Sequence, residues 1–541
     1  MQGFERSDRQ FLDAEALAGH LVPAGSMFAF LAAHRAEVFA DADYADLFAP
    51  PGVGRPSVPA TQMAAVMTLQ ALCDYSDRET AEAVRFDMRW KVAIGAPLDD
   101  PGFDSSTLVY WRNRIARSAR PYRVNDAVRK VIGQTGVLKG RRRRAVDSTI
   151  LADAVATQDT VTQLVAAVRR VAREVPGAKD KIAAVCTGHD YSKPGKPKID
   201  WDDPAAKDAL VSALVNDANA LVAAFEGAEL DEPASSAVAL LALVAGQDVE
   251  PAEGSDGRDG RWRIARNVAE DRVISTAGTQ ARHTRKSPEA RRDGYRAHVA
   301  ADPETGIITD EKLTKATGTE NSDAAAAAGF VAAEAANGGG TKSTSGHDPG
   351  RGYDDARGGQ LAWYGDSAYG TGELRQAIAE AGHQAVIKPW PALPAVEGGF
   401  TRDDFTLNMA ARTVTCPAGV TRQITARNAV IFGAGCRGCP LRQRCTTAKD
   451  GRTLHLHEHE GLLRAARTAW AGLHEDYSRH RPHVERAIAQ VATWRGRRLK
   501  LRYRGTAKNN AWLKRRTAAV NLRTLLSHGL ARRDSAWVLA N

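Results

Sequence analysis

The stretch RRRRAVDSTIL, from Arg141 to Leu151, sets four arginines before an apolar segment that carries a single acid, Asp147. Its apolar residues predict a buried strand that delivers a carboxylate at its end. An acid there is costly unless it is paired or binds a metal. LAWYGD, Leu361 to Asp366, predicts a second strand of the same kind. Between them, Gly294 to Ala301 and Gly306 to Leu313 flank Asp302-Pro303-Glu304-Thr305-Gly306, a hairpin signature. An Ala-rich helix is expected from Ser322 to Ala336, a further helix from Gly372 to Ala381, and a strand from Gln384 to Lys388.

The order strand, hairpin, helix, strand, helix, strand defines an α/β core of RNase H-like type, in residues 141–156 and 262–390. Residues 157–261 read as a helical insertion after the first strand, with helices at Val161–Glu174 and Ala205–Phe225 and a GSDGRDG loop at 254–260. Residues 1–140 read as a helical N-terminal domain that binds DNA. Ala60–Cys73 is one helix, Ser76-Asp77-Arg78-Glu79 is a capping box that opens the next, and Asp104–Arg120 is an Arg-bearing third. A plain helical bundle with a charged outer face fits those residues too. Residues 337–360 read as a flexible loop, 391–457 as a β-rich, Cys-containing insertion, and 458–541 as helical and basic.

Charge is unevenly placed. The chain nets +10, yet Tyr477 to Asn541 holds 16 Lys and Arg against only Glu485 and Asp534. A basic segment on a near-neutral body suits a polyanion such as nucleic acid, or else a solvated basic surface. Trp494 within it could stack on a base or belong to the core. No apolar stretch is long enough to span a bilayer and no signal core opens the chain, so a cytoplasmic, nucleoid-associated protein without a membrane partner is expected. No GxxxxGK[ST] motif occurs, which argues against ATP-driven chemistry. Six cysteines are too few for a disulfide scaffold. Four of them, Cys416, Cys436, Cys439 and Cys445, could make a structural zinc site, could recruit His455 or His457, or could be reduced thiols.

Glu485 opens a helix in Arg481-Pro482-His483-Val484-Glu485-Arg486, with Pro482 suited to the first turn. Asp147, Asp366 and Glu485, spaced by 219 and 119 residues, can meet only through the fold. Three carboxylates are the hard-oxygen set that Mg²⁺ or Mn²⁺ prefers, and two such ions can drive phosphodiester exchange. The alternatives are a strand-end cap or ion pair for each Asp, and a first-turn acid favoured by the helix dipole for Glu485. Asp302, in its turn, reads as a turn cap.

The set Ala-Val-Asp147-Ser-Thr, Tyr-Gly-Asp366-Ser-Ala-Tyr-Gly and Arg481-Pro-His-Val-Glu485-Arg resembles the DDE insertion-sequence transposases. The closest subgroup has a helical N-terminal domain and a Cys-containing β insertion before the catalytic Glu. Gly294-Tyr-Arg-Ala-His298 and Asn521-Leu-Arg-Thr-Leu fit as well, and the likeness spans about residues 20–530. It implies a DNA transposase that cuts and rejoins element ends with two Mg²⁺ or Mn²⁺ ions on Asp147, Asp366 and Glu485. It also implies terminal inverted repeats and target DNA as partners, and a homodimer on DNA. Arg481, Arg495, Arg497, Arg498, Lys500 and Trp494 are the expected DNA contacts. One departure stands out: the family pattern Tyr-x2-Arg-x3-Glu-x6-Lys finds Tyr477 one residue too far upstream and Ala492 at the Lys position. A silent DNA-binding derivative, or a nuclease without strand transfer, would share the other motifs.

Overall fold

The computed structural model describes residues 1–4, 12–50, 54, 56–193, 195–285, 291–338 and 359–540. The loop expected at 337–360 falls mostly outside them. Six strands build the central sheet: β1 (Arg143–Ala152), β2 (Arg282–Arg285), β3 (Arg291–Ala301), β4 (Ile308–Lys315), β5 (Ala362–Gly365) and β6 (Gln384–Ile387). β3 pairs antiparallel with β1 on one edge, and with β2 and β4 on the other. β1, β5 and β6 run parallel. The sheet is therefore antiparallel on one side of β1 and parallel on the other.

Five helices matter for the site: α1 (Asp323–Gly338), α2 (Gly372–Glu380), α3 (Glu460–His480), α4 (Pro482–Ala492) and α5 (Thr506–Ser527). Strand side chains alternate between faces. Val146 and Ala300 pack with Ala327 and Phe330 of α1 and Leu374 and Ile378 of α2. Ala145, Tyr295, Ala297 and Val299 face the other way, onto Val484, Ala487 and Val491 of α4 and Leu513 of α5. Pro482 has no N–H to offer the α3 ladder, so α3 gives way to α4 at Arg481.

Residues 160–264 carry a core of their own. The helices Thr160–Glu174, Pro204–Ala223 and Glu232–Gln247 bury Leu164, Leu214 and Leu241 together, and the 254–260 loop joins the short strands Val249–Pro251 and Trp262–Ile264. Within 391–457, five three-residue strands between Thr406 and His455 close over Phe405, Val414, Val430 and Leu454.

The N-terminal helices do not stand apart. Ala60–Cys73 forms as expected, and the Ser76–Glu79 capping box is made in both directions. The third helix is shorter than read, Ser106–Ala116, so Arg117 and Arg120 lie beyond it. Helices at Met27–Val38 and Arg123–Thr135 join them, and all share one core with Ala518, Leu522 and Leu525 of α5 and Trp537. The C-terminal region is also not helical throughout, since hairpins form at Thr493–Arg498 and Leu530–Leu539.

α5 acts as the brace of the molecule. It lies along the edge strand β4, whose unpaired backbone needs cover. Asn521 accepts from the Ile308 N–H and donates to the Ile308 carbonyl, both at 2.9 Å, and Asn510 accepts from the Leu313 N–H. Between them, Lys514 pairs with the buried Glu311 at 2.9 Å, and Arg129 of the Arg123–Thr135 helix reaches the same carboxylate at 3.1 Å. On its far side Arg516, fully buried, donates to the carbonyls of Ala71, Leu72, Gln490, Val491 and Thr493. One guanidinium thereby satisfies the C-terminal carbonyls of two helices. Among the described residues no helix is long and apolar enough to cross a membrane.

Candidate active site

Asp147 does not end its strand, as the sequence suggested. β1 runs on to Ala152 because its antiparallel pairing with β3 continues, with Asp147 opposite Val299. What stops near Asp147 is the parallel pairing: the last pair with β5 is Ala145 with Tyr364. Two residues further along each strand stand Asp147 and Asp366, level in that register. Asp366 follows β5 directly and caps a short turn by accepting from the Ala368 N–H at 2.9 Å. Glu485 sits in the first turn of α4, over the opposite face from α1.

Arg481, at the break between α3 and α4, gathers the three acids. Its guanidinium lies 3.2 Å from Asp147, 3.7 Å from Asp366 and 3.3 Å from Glu485. Exposure rises outward, from 16% for the Asp147 side chain to 66% for Glu485, while Arg481 keeps only 6%. Burial pushes the Asp147 carboxyl above its usual range. Arg481 and the Ser148 amide pull it back, and Asp366 and Glu485 push it up again. Tyr369 is fully buried beside them, its phenol raised by that burial and by Asp323, Asp147 and Asp366.

A fourth acid, Asp323 at the start of α1, lines the same cavity as Asp147 and Asp366. Nothing in the chain marks it beyond its place as a helix-opening Asp. Arg296 pairs with it at 3.0 Å and His298 approaches at 3.4 Å. Burial raises this carboxyl, but His298, Arg296 and the Ser148 hydroxyl outweigh that and bring it to about 2. It is an ion-paired acid, with its counter-charge already in place. The Asp302 carboxylate accepts from the Thr305 N–H at 2.7 Å and is a turn cap.

The expected DNA contacts divide. Arg481 is committed to carboxylates. Trp494 carries the guanidiniums of Arg495 (5.7 Å) and Arg516 (5.8 Å) over its ring and packs, partly buried, on the core. Arg495 and Gly496, at φ 48° and 78°, make the two-residue turn of the Thr493–Arg498 hairpin. Arg497 and Arg498 are exposed on its second strand, and Arg498 reaches the cavity of Asp147 and Asp366. Lys500 is exposed and bridges the end of β1 at Ala152. Tyr477, despite its shifted spacing, feels the charges of Arg481, Asp366, Glu485 and Asp147.

Three carboxylates facing one cation suit a hard divalent ion in donor chemistry. Here they close on Arg481. Among the described residues no group of three or more His, Cys, Asp or Glu side chains is placed to hold a metal ion. That holds for the four thiols too, although Cys416, Cys436, Cys439 and Cys445 all line one apolar cavity of about 20 Å³.

A helical N-terminal region thus precedes the acid-bearing sheet. Residues 18–114 match a family described as a transposase domain, and residues 415–526, which include Arg481 and Glu485, match the family described as the transposase DDE domain. Both matches point to the insertion-sequence DDE transposases and support a DNA transposase function. No curated protein and no solved structure matches it. DNA binding and a general use of divalent metal ions come with that family.

Proposed function

We propose that this transposase cuts and rejoins the ends of its element through Asp147, Asp366 and Glu485, held in an RNase H-like domain of residues 141–156 and 262–390. The observation that carries the reading is the convergence of these three acids, distant in sequence, on the Arg481 guanidinium. The antiparallel-then-parallel strand order about β1 supports the fold.

The three carboxylates would hold Mg²⁺ or Mn²⁺. When bound, such ions supply an activated water and stabilise the leaving oxygen in phosphodiester cleavage. The rest is the work of the chain. Asp147 and Asp366 are fixed by backbone amides, so their oxygens are oriented before DNA arrives. Arg481 offsets the mutual repulsion of the acids until cations take over that task. Tyr369 and the apolar side chains beneath keep water from the floor of the site. Cleavage would leave a 3′-OH to attack target DNA, with two element ends held by a homodimer in the nucleoid.

We assign end-DNA binding to residues 1–140 together with the basic 458–541 region, and leave 157–261 and 391–457 as insertions. For the second insertion we propose a zinc ion on its four cysteines. Their shared cavity supports this, and a metal content of one zinc per chain, lost in Cys436→Ser, is the expected result. The catalytic reading is tested on duplexes made from DNA flanking the coding region. Asp147→Asn, Asp366→Asn and Glu485→Gln should each abolish Mn²⁺-dependent nicking yet still bind the duplex. A variant that still nicks would remove its residue from the triad.

A further inference from the structure

Past Asp147 the sheet keeps going while its helical cover stops. β1 runs five residues further, paired to β3, and β3 in turn to β2. On the face that carries α1 elsewhere, this extension presents Ser148 and Ile150 from β1, Arg292 and Arg296 from β3, and Thr284 from β2. All five line a cavity of about 340 Å³ that also holds Asp147 and Asp366. Arg498 reaches the same cavity from the Thr493–Arg498 hairpin. Between Arg292 and Arg296 the strand is bare: a Cβ at Gly294 would lie 2.0 Å from the Leu151 carbonyl. The strands approach closely there and the surface stays low.

The charges in this cavity are segregated. Arg296 is spent on Asp323. Asp147 and Asp366 would repel a phosphodiester strand brought to them, and Coulomb repulsion at contact distances is substantial away from bulk water. A polyanionic substrate needs cations on the side of the cavity that the acids do not occupy. Guanidinium forks match phosphate oxygens in pairs.

We propose that Arg292 and Arg498 form a phosphate clamp beside Asp147 and Asp366, and that the open sheet extension carries the DNA strand next to the bond being cut. The clamp rests on the reading of those acids as the cutting centre, so its test is one that does not need cutting. Binding of the flanking-DNA duplex to the full chain is measured in Ca²⁺ across a salt series, by fluorescence anisotropy. One phosphate contact contributes about 0.9 to the slope of log K against log salt. Arg292→Gln and Arg498→Gln should each lower that slope by about this amount and weaken binding several-fold at low salt, while Arg292→Lys restores it. Duplexes with single methylphosphonates should locate the partner phosphate: neutralising it weakens wild-type binding but costs Arg292→Gln nothing more. Unchanged slopes, or the same methylphosphonate penalties in variant and wild type at every position, overturn the clamp. Asp147→Asn that still nicks would overturn the cutting centre, whatever the slopes.

Discussion

Arg481 holds Asp147 at 3.2 Å, and through the same guanidinium it also holds Asp366 and Glu485. A buried cation that faces three acids is a counter-ion before it is anything else. Its removal leaves Asp147, already raised by burial, beside two like charges.

Arg481→Ala is therefore expected to lose stability in metal-free buffer, by about 1–3 kcal/mol, because charge-assisted contacts of this depth carry that much. Added Mn²⁺ should raise its melting temperature more than that of the wild type, since divalent ions would relieve the same repulsion. Thermal melts with and without Mn²⁺ decide this. An equal metal response in both proteins would mean that Arg481 does not share its place with the ions.

Glu311 is the second point of leverage, and its effect depends on pH. Burial raises its carboxyl, but Lys514 and Arg129 outweigh that and hold it below 4.5. The folded value is the depressed one. The stabilisation is thus fully present above the unfolded value, near 4.5, and is lost as pH falls through the lower folded value. Unfolding in urea should show the wild type weakening below about pH 4.5, in part through this residue. Glu311→Ala takes away the carboxylate that Lys514 and Arg129 share, although Arg129 keeps Asp310 at 3.6 Å, and should cost about 3–5 kcal/mol at neutral pH, with a flatter acid limb. An acid limb of unchanged steepness in Glu311→Ala would rule this residue out as its cause.

Much of this was legible in the chain. The strands that carry Asp147 and lead to Asp366, the 302–306 turn and the Ser76 capping box depend on neighbours within a few residues, and they form. The strand continues past Asp147 because the length of β1 is set by β3, far downstream in the chain, which no neighbour of Asp147 reveals. Not every cation in the basic C-terminal count lies on the surface. Arg516 and Lys514 serve helix ends and Glu311, and only the fold reveals which cations are spent inside. Asp323 escaped notice because nothing local separates it from any helix-opening acid.

Asn521 shows how a polar residue can complete a sheet. Its amide takes the place of a missing strand opposite Ile308, one bond to the N–H and one to the carbonyl. Asn521→Leu would keep the volume and leave both backbone groups buried without partners. A loss of about 2–4 kcal/mol follows from two unsatisfied groups. Hydrogen exchange at the Ile308 amide should quicken well beyond that at Val299 in the interior of the sheet. Uniform quickening across the sheet would point to global unfolding and away from a missing partner at β4.

Arg516 ties the N-terminal helices to the helix that bears Glu485, since its donors end on Ala71 and Leu72 at one helix and on Gln490, Val491 and Thr493 at the other. Burial lowers its guanidinium to about 10, still charged at neutral pH. Arg516→Met fits the space but strands five carbonyls, and about 3–5 kcal/mol should be lost, in the range for breaking a buried charged network. Arg516→Lys, with three donors on a flexible stem, should recover only part. Because α4 bears Glu485, Arg516→Met should also slow nicking more than its folded fraction accounts for, with duplex binding intact. Nicking that falls only in proportion to the folded fraction would make Arg516 a brace of the fold with no hold on the position of Glu485.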